Sequence, residues 1–192
     1  MKKKIIIETI KESKIVKLNI GCSTKHIKGY ENIDLDPRCK PDKIMDITKR
    51  WTYEDNSVDE VLTSHILEHL MCDMEFLANE VMRVLKVGGI WHIKVPYCNY
   101  ILTYRANHVK FYSESLIHDL LNHHAHLDFK VNGTFKIENL TLVPPPNKWI
   151  KLIPFREKLR WVLFGMVKEI DCKLVKASNE YKHPLLDKKE TQ

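Results

Sequence analysis

Apolar residues recur along the first 120 positions with two periods that alternate. From Lys14 to Ile20, Val16, Leu18 and Ile20 fall two apart, the spacing of a strand with one buried face. Tyr30 to Asp34, Lys43 to Asp46, Val58 to Thr63 and Ile90 to Val95 read as further strands. Between the last two, Met74, Leu77, Val81 and Val84 fall three and four apart, which predicts a helix. Asp73 is placed to cap its start, Glu75, Arg83 and Lys86 complement its dipole, and Gly88-Gly89 is expected to stop it. Ser113 opens a second helical pattern, with Leu116, Ile117, Leu120 and Leu121 facing inward. Asp128 to Val131, the turn Asn132-Gly133 and Phe135 to Val143 predict an antiparallel hairpin, which Pro144-Pro-Pro146 ends. Leu159, Leu163, Met166, Ile170 and Leu174 predict an amphipathic helix over Arg156 to Leu174, and Ala177 to Gln192 reads as a frayed polar tail.

Alternation of strand and helix argues an α/β fold: a three-layer sandwich around a mostly parallel sheet with an antiparallel C-terminal hairpin. The 192 residues suit a single domain, 1–192, with its core at about 14–146 and the amphipathic helix and tail at 147–192. One spacing is unusual. Only Cys22 to Gly29 separate the first two strands and Leu35 to Asp42 the next two. A parallel crossover normally takes a dozen or more residues and a helix, so irregular loops are expected there, leaving one sheet face thinly covered.

Composition narrows the classes. With 44% hydrophobic and 29% charged residues the chain is neither disordered nor membrane-spanning, and Glu8 cuts short the apolar run that a secretion signal would need. Five scattered cysteines without a CxxC pair suggest reduced thiols and a cytoplasmic setting. The net charge of +6 gathers at the two ends of the chain while residues 31–80 are acidic, so a basic nucleic-acid groove is not expected. The segment Lys148 to Trp161 mixes basic and bulky apolar residues, which suits packing as a lid or dimer face and, alternatively, peripheral membrane contact.

In an open parallel sheet, ligands bind beyond the carboxyl ends of the strands where strand order reverses. Gly21, directly after the first strand, lets a ligand approach the backbone, or simply ends the strand. Ser23 and His26 occupy the other positions of a G-x-G-x-x-G phosphate cradle, so nicotinamide and flavin are disfavoured. Asp34 ends the second strand, where a carboxylate can accept both ribose hydroxyls of an adenosine group. Asp46 could accept from an adenine amino group beside the Ile47 amide, and is equally placed as a strand-ending carboxylate.

These segments, in this order, resemble the class I S-adenosylmethionine (SAM)-dependent methyltransferases, and most closely the compact group called methyltransferase type 11. The resemblance is carried by Leu18-Asn-Ile-Gly-Cys-Ser23, Ile33-Asp-Leu-Asp-Pro37, Asp46-Ile47, Asp55-Asn-Ser-Val-Asp59, Ser64-His-Ile-Leu-Glu-His69 and Arg83-Val-Leu-Lys-Val-Gly-Gly89. It implies a Rossmann-like fold with shortened first crossovers and SAM as cofactor. Gly21 and Cys22 would line its methionine part, Asp34 would hold the ribose, Asp46 and Ile47 the adenine, Ser64 and His65 would close the far side of the sulfonium, and Asn19 would also belong to the cofactor site. Ser23 replaces the motif's second glycine and Val87 its proline.

A hydroxyl acceptor must lose a proton, a task that suits histidine, and His65 and His69 are the candidate catalytic residues. Tyr97, Tyr100, Tyr104 and His108 follow the fifth strand as candidates for the acceptor pocket. No N/D-P-P-Y/F signature follows the fourth strand, which argues against methylation of DNA-base amines. The expected acceptor is a small molecule, a glycan or a lipid-linked intermediate. Two other readings are a SAM-binding scaffold without turnover and a metal-dependent hydrolase. The latter would use His65-Ile-Leu-Glu-His69, whose histidines would share one helical face with Glu68 as base. No metal site is expected; the cluster His123-His-Ala-His126 is read as a solvated helix end.

Overall fold

The computed structural model describes residues 15–121, 129–159 and 163–180. Seven strands form one sheet: β1 Lys17–Ile20, β2 Glu31–Asp34, β3 Lys43–Ile44, β4 Val58–Ser64, β5 Leu85–Pro96, β6 Thr134–Val143 and β7 Glu169–Ser178. Their spatial order is β3-β2-β1-β4-β5-β7-β6, with β1 to β5 parallel and β7 antiparallel to both neighbours. The helices are α1 Met74–Val84, α2 Ser115–Leu120, α3 Lys148–Leu152 and α4 Arg156–Leu159. Strand order reverses at β1, which pairs with β2 on one side and β4 on the other. The expected α/β sheet, mostly parallel and closed by an antiparallel pair, is the one observed.

The short crossovers carry no α-helix. Residues 21–30 are a loop, and the β2–β3 connection holds only the single turn Pro37–Cys39, capped by Asp36. Cover on that side comes instead from the segment after β3, where Met45, Ile47 and Trp51 join the core. Leu35 and Ile44 remain 61% and 59% exposed at this thin edge.

Helix α1 begins as the sequence predicts, with the Asp73 carboxylate accepting from the Glu75 N–H, and it buries Leu77, Val81 and Val84. Its end differs. The chain turns extended at Leu85, three residues before Gly88, and β5 starts there. Gly88 and Gly89 instead form a bulge, since Val58 faces Leu85 while Glu60 already faces Ile90. Gly88 has φ +86°, and a Cβ on Gly89 would lie 2.9 Å from the Lys86 carbonyl oxygen, so both glycines are required by the bulge.

Two C-terminal expectations are corrected. Phe135 to Val143 is a strand, but its antiparallel partner is β7, not residues 129–131, residue 128 lying outside the described residues. Asn132-Gly133 docks on α1 instead, where Asn79 Oδ1 accepts from the Asn132 N–H at 2.7 Å. The amphipathic helix over Arg156 to Leu174 does not form. Gly165 at φ +79° interrupts it, and Glu169–Ser178 becomes the interior strand of the antiparallel pair, so the sheet extends well past residue 146. Ile170, Cys172, Leu174 and Lys176 point to one buried face, two residues apart. Residues 123–126 and the tail beyond residue 180 lie outside the described residues.

Lys176 is the one buried cation of that face, at 1% exposure. Its ammonium donates to Asn56 Oδ1 and to the carbonyls of Met82 and Leu85, at 2.8, 2.6 and 2.6 Å, tying β7 to the C-terminal end of α1. Burial holds its pKa below the ordinary lysine value. The unfolded chain therefore binds this proton more tightly, and stability rises with pH from the depressed folded value up to the unfolded one. Lys176→Met is expected to cost about 1–3 kcal/mol in urea unfolding, because three acceptors lose their donor, and to remove that alkaline rise. A variant as stable as the parent would show that the apolar stem alone suffices.

Candidate active site

The crevice lies at the carboxyl ends of β1, β2 and β4. Gly21 takes φ +66°, and a Cβ there would sit 2.5 Å from Ile66 Cγ1, so the segment after β4 presses against the glycine. Asp34 faces it from β2, its two oxygens accepting from the Ser23 N–H at 2.8 Å and the Asp36 N–H at 3.0 Å. Ser23 reaches this bond with φ +46°, a conformation that glycine adopts freely, while its side chain is exposed. Asp46 accepts from the Thr48 hydroxyl at 2.6 Å and pairs with Lys49 at 3.0 Å, and the Thr48 hydroxyl first, then Lys49, hold its carboxyl down at about 2. Gly21, Asp34, Asp46, Ile47, Ile66 and His69 line one cleft.

Not every expected cofactor residue reaches that cleft. Asn19 is buried and structural, its amide donating to the Lys25 carbonyl at 2.9 Å and to Asn32 Oδ1 at 3.0 Å, which folds the β1–β2 loop. The Cys22 thiol is buried, and burial followed by the nearby Asp34 pushes it up to about 11. Ser64 ends β4 opposite Lys94, outside the cleft lining.

His65 follows with φ +55°, strained for a non-glycine residue. Its ring is held between two carboxylates, Nε2 at 2.7 Å from Glu169 Oε2 and Nδ1 at 3.3 Å from Glu68 Oε1. Glu169 first, then Glu68, raise its pKa to about 9, so near neutral pH it is a cation and a poor base. His65 in turn draws the Glu169 carboxyl below its ordinary value. Residues 65–69 do not form the helix that a two-histidine zinc face requires; only a single turn, Leu67–His69, is present.

His69 borders a second pocket together with Lys25, Glu68, Tyr100, Arg105, His108 and Lys168. This pocket and the cleft share His69. His69 Nδ1 lies 3.0 Å from the Asn107 carbonyl and His108 Nδ1 2.9 Å from that of Thr103, and the two rings meet edge to face at 4.7 Å. Of the tyrosines, only Tyr100 lines the pocket. Tyr97 is buried and Tyr104 stacks outside on Phe111 and Phe164. Glu169, Lys25, Arg105 and Lys168 escaped the sequence reading. For Glu169 a signal existed, the two-residue alternation of Ile170, Cys172 and Leu174 that marks a strand.

The strand order, the reversal at β1 and the strand-end cleft define a Rossmann-like α/β fold. Residues 32–93 match the family model described as a methyltransferase domain. No curated protein matches the sequence. Among solved structures, a SAM-dependent methyltransferase from Archaeoglobus fulgidus aligns over 85% of this chain and 87% of its own, at 16% identity and a TM-score of 0.57. One from Mesorhizobium loti aligns over 85% and 92%, at 14% identity and a TM-score of 0.55. The cyclase SpnF aligns over 88% and 77%, at 15% identity and a TM-score of 0.56. At such identities the likeness is one of fold. Among the described residues no helix is long and apolar enough to cross a membrane.

Proposed function

We propose that the chain transfers a methyl group from SAM to a small-molecule, glycan or lipid-linked acceptor. The observation that carries this reading is the gathering of Gly21, Asp34, Asp46 and Ile47 around one cleft at the strand-order reversal. The donor set fits a nucleoside with free ribose hydroxyls: it offers two anchored carboxylates and lacks the glycine-rich cradle that a pyrophosphate takes. SAM, when bound, supplies a methyl group already activated on a sulfonium. The chain's part is to orient the acceptor, exclude water and manage the acceptor's proton.

The second pocket is the place for the acceptor, because His69 joins it to the cleft. Lys25, Arg105 and Lys168 make it suitable for an anionic or hydroxyl-rich molecule. His65, charged and clamped, is a positioning residue in this reading, and the proton falls to the His69–His108 side, through either a ring or an ion that the rings hold. Exposed Trp149, Leu152 and Phe155 near the basic α3 and α4 support a lipid-linked acceptor and peripheral membrane contact. Five free cysteines support a reducing, cytoplasmic setting.

Calorimetric titration with SAM and with its demethylated product is expected to give saturable one-to-one binding. Absence of binding to both ligands would sink the proposal. A second reading, a SAM-binding scaffold without turnover, is favoured by Ile66 pressing on Gly21. It predicts binding with no methyl transfer to any of a panel of hydroxyl acceptors.

A further inference from the structure

Glu68, His69 and His108 form a cluster at the pocket to which the methyl-transfer reading assigns the acceptor, and the inference here rests on that reading only for what the pocket holds. One donor atom from each lies within 4.8 Å of the other two. Glu68 is 1% exposed; one of its oxygens meets His65, and the other, Oε2, is buried without a hydrogen-bond partner. An orphaned buried carboxylate oxygen carries a desolvation cost unless something cationic satisfies it.

The two histidines are prepared to do so jointly. A carbonyl oxygen can only accept, so the Asn107 and Thr103 carbonyls fix the proton of each ring on Nδ1. Each neutral ring is left with a bare Nε2. A ring nitrogen donating to a carbonyl while the other stays free is the arrangement that orients metal-binding histidines. Two imidazoles and a carboxylate are a donor set for zinc and related divalent ions, with a further coordination position open. Ligand atoms around a tetrahedral zinc lie about 3.3 Å apart, so closing the cluster takes shifts of roughly an ångström.

We propose that Glu68, His69 and His108 bind one divalent transition-metal ion, with zinc as the probe, whose open position faces the pocket lined by Lys25, Arg105 and Lys168. The ligand completing the site is an oxygen donor, a hydroxyl or oxyanion, that these cations also attract. With the ion in place His69 is a ligand, and a coordinated hydroxyl loses its proton more easily than a free one. This differs from the hydrolase pattern of the sequence, since His108 replaces His65, whose ring nitrogens are occupied by Glu68 and Glu169.

The test is metal binding itself, which does not depend on whether SAM binds. Full-length protein without a histidine tag is stripped with a chelator and titrated with zinc against a chromophoric competitor. One equivalent per chain is expected. His69→Ala and His108→Ala should each weaken it by roughly 100-fold, and Glu68→Gln should weaken it too. Circular dichroism confirms that each variant is folded. His108→Ala, which removes a ring from a pocket wall, keeps the test informative should Glu68→Gln fail to fold. The triple variant His123→Ala, His124→Ala, His126→Ala should bind zinc as the parent does. No stoichiometric binding, unchanged affinity in folded His108→Ala, or loss in the triple variant would each overturn the assignment.

Discussion

Arg83→Ala is expected to lower the unfolding free energy by about 3–5 kcal/mol, the cost of breaking a buried ion pair from one side. The Arg83 guanidinium donates to Glu80 through Nε at 3.0 Å and Nη2 at 2.8 Å, to Asp55 at 2.8 Å, and to the carbonyls of Tyr53 and Trp51 at 2.7 and 3.1 Å. One side chain thus fastens the segment before β4 to α1. Glu80, 6% exposed, would keep only the Trp51 N–H as partner. Burial by itself would raise the Glu80 carboxyl; Arg83 outweighs it and holds the pKa below the ordinary value. Stability from this pair is therefore complete above the unfolded carboxylate pKa and is lost as pH falls through the depressed folded one. Urea unfolding across that acid range should show the parent's stability falling and the variant's curve flatter. A loss below 1 kcal/mol would mean that the loop holds without the network.

Asp34→Ala is expected to weaken SAM binding by at least about 100-fold, because two charge-assisted hydrogen bonds of roughly 1.5–3 kcal/mol each are removed together. The same carboxylate also anchors Ser23 and Asp36 by their N–H groups, so the variant loosens both loops that flank Gly21. Asp34→Asn separates the two effects. It retains an oxygen for one anchor, and should lower the melting temperature less than Asp34→Ala does while still losing most of the affinity. Calorimetry with both variants decides. Unaltered affinity in the folded Asp34→Ala protein would move the nucleoside away from β2.

Much of this frame was legible because its signals are local. Strands β1, β2 and β4 and helix α1 are marked by short-range periods and by the Asp73 cap. Segments that resemble the type 11 motifs serve packing: Asp55 pairs with Arg83, Asp59 with Lys86, and Asn56 takes φ +52° while accepting from Lys176. What was misread depends on distance or on degenerate spacing. Met166, Ile170 and Leu174 are four apart, which suits a helix but is also twice the strand period, and only burial of Cys172 and Lys176 between and after them separates the two. That error hid Glu169, which reaches His65 across 104 positions. The meeting of His69 with His108 is likewise set by the fold, not by sequence spacing.

The place of β7 between β5 and β6 has a kinetic side. During synthesis β5 and β6 leave the ribosome before the strand that joins them, so a partly made chain presents two unpaired edges at once. One of them carries Trp91, Ile93 and Val95, fully buried in the finished sheet. Sheet closure must then wait for a long-range antiparallel insertion, a slow kind of step that leaves nascent chains prone to self-association. Chains truncated before Glu169 should accordingly aggregate rather than accumulate as a smaller folded domain.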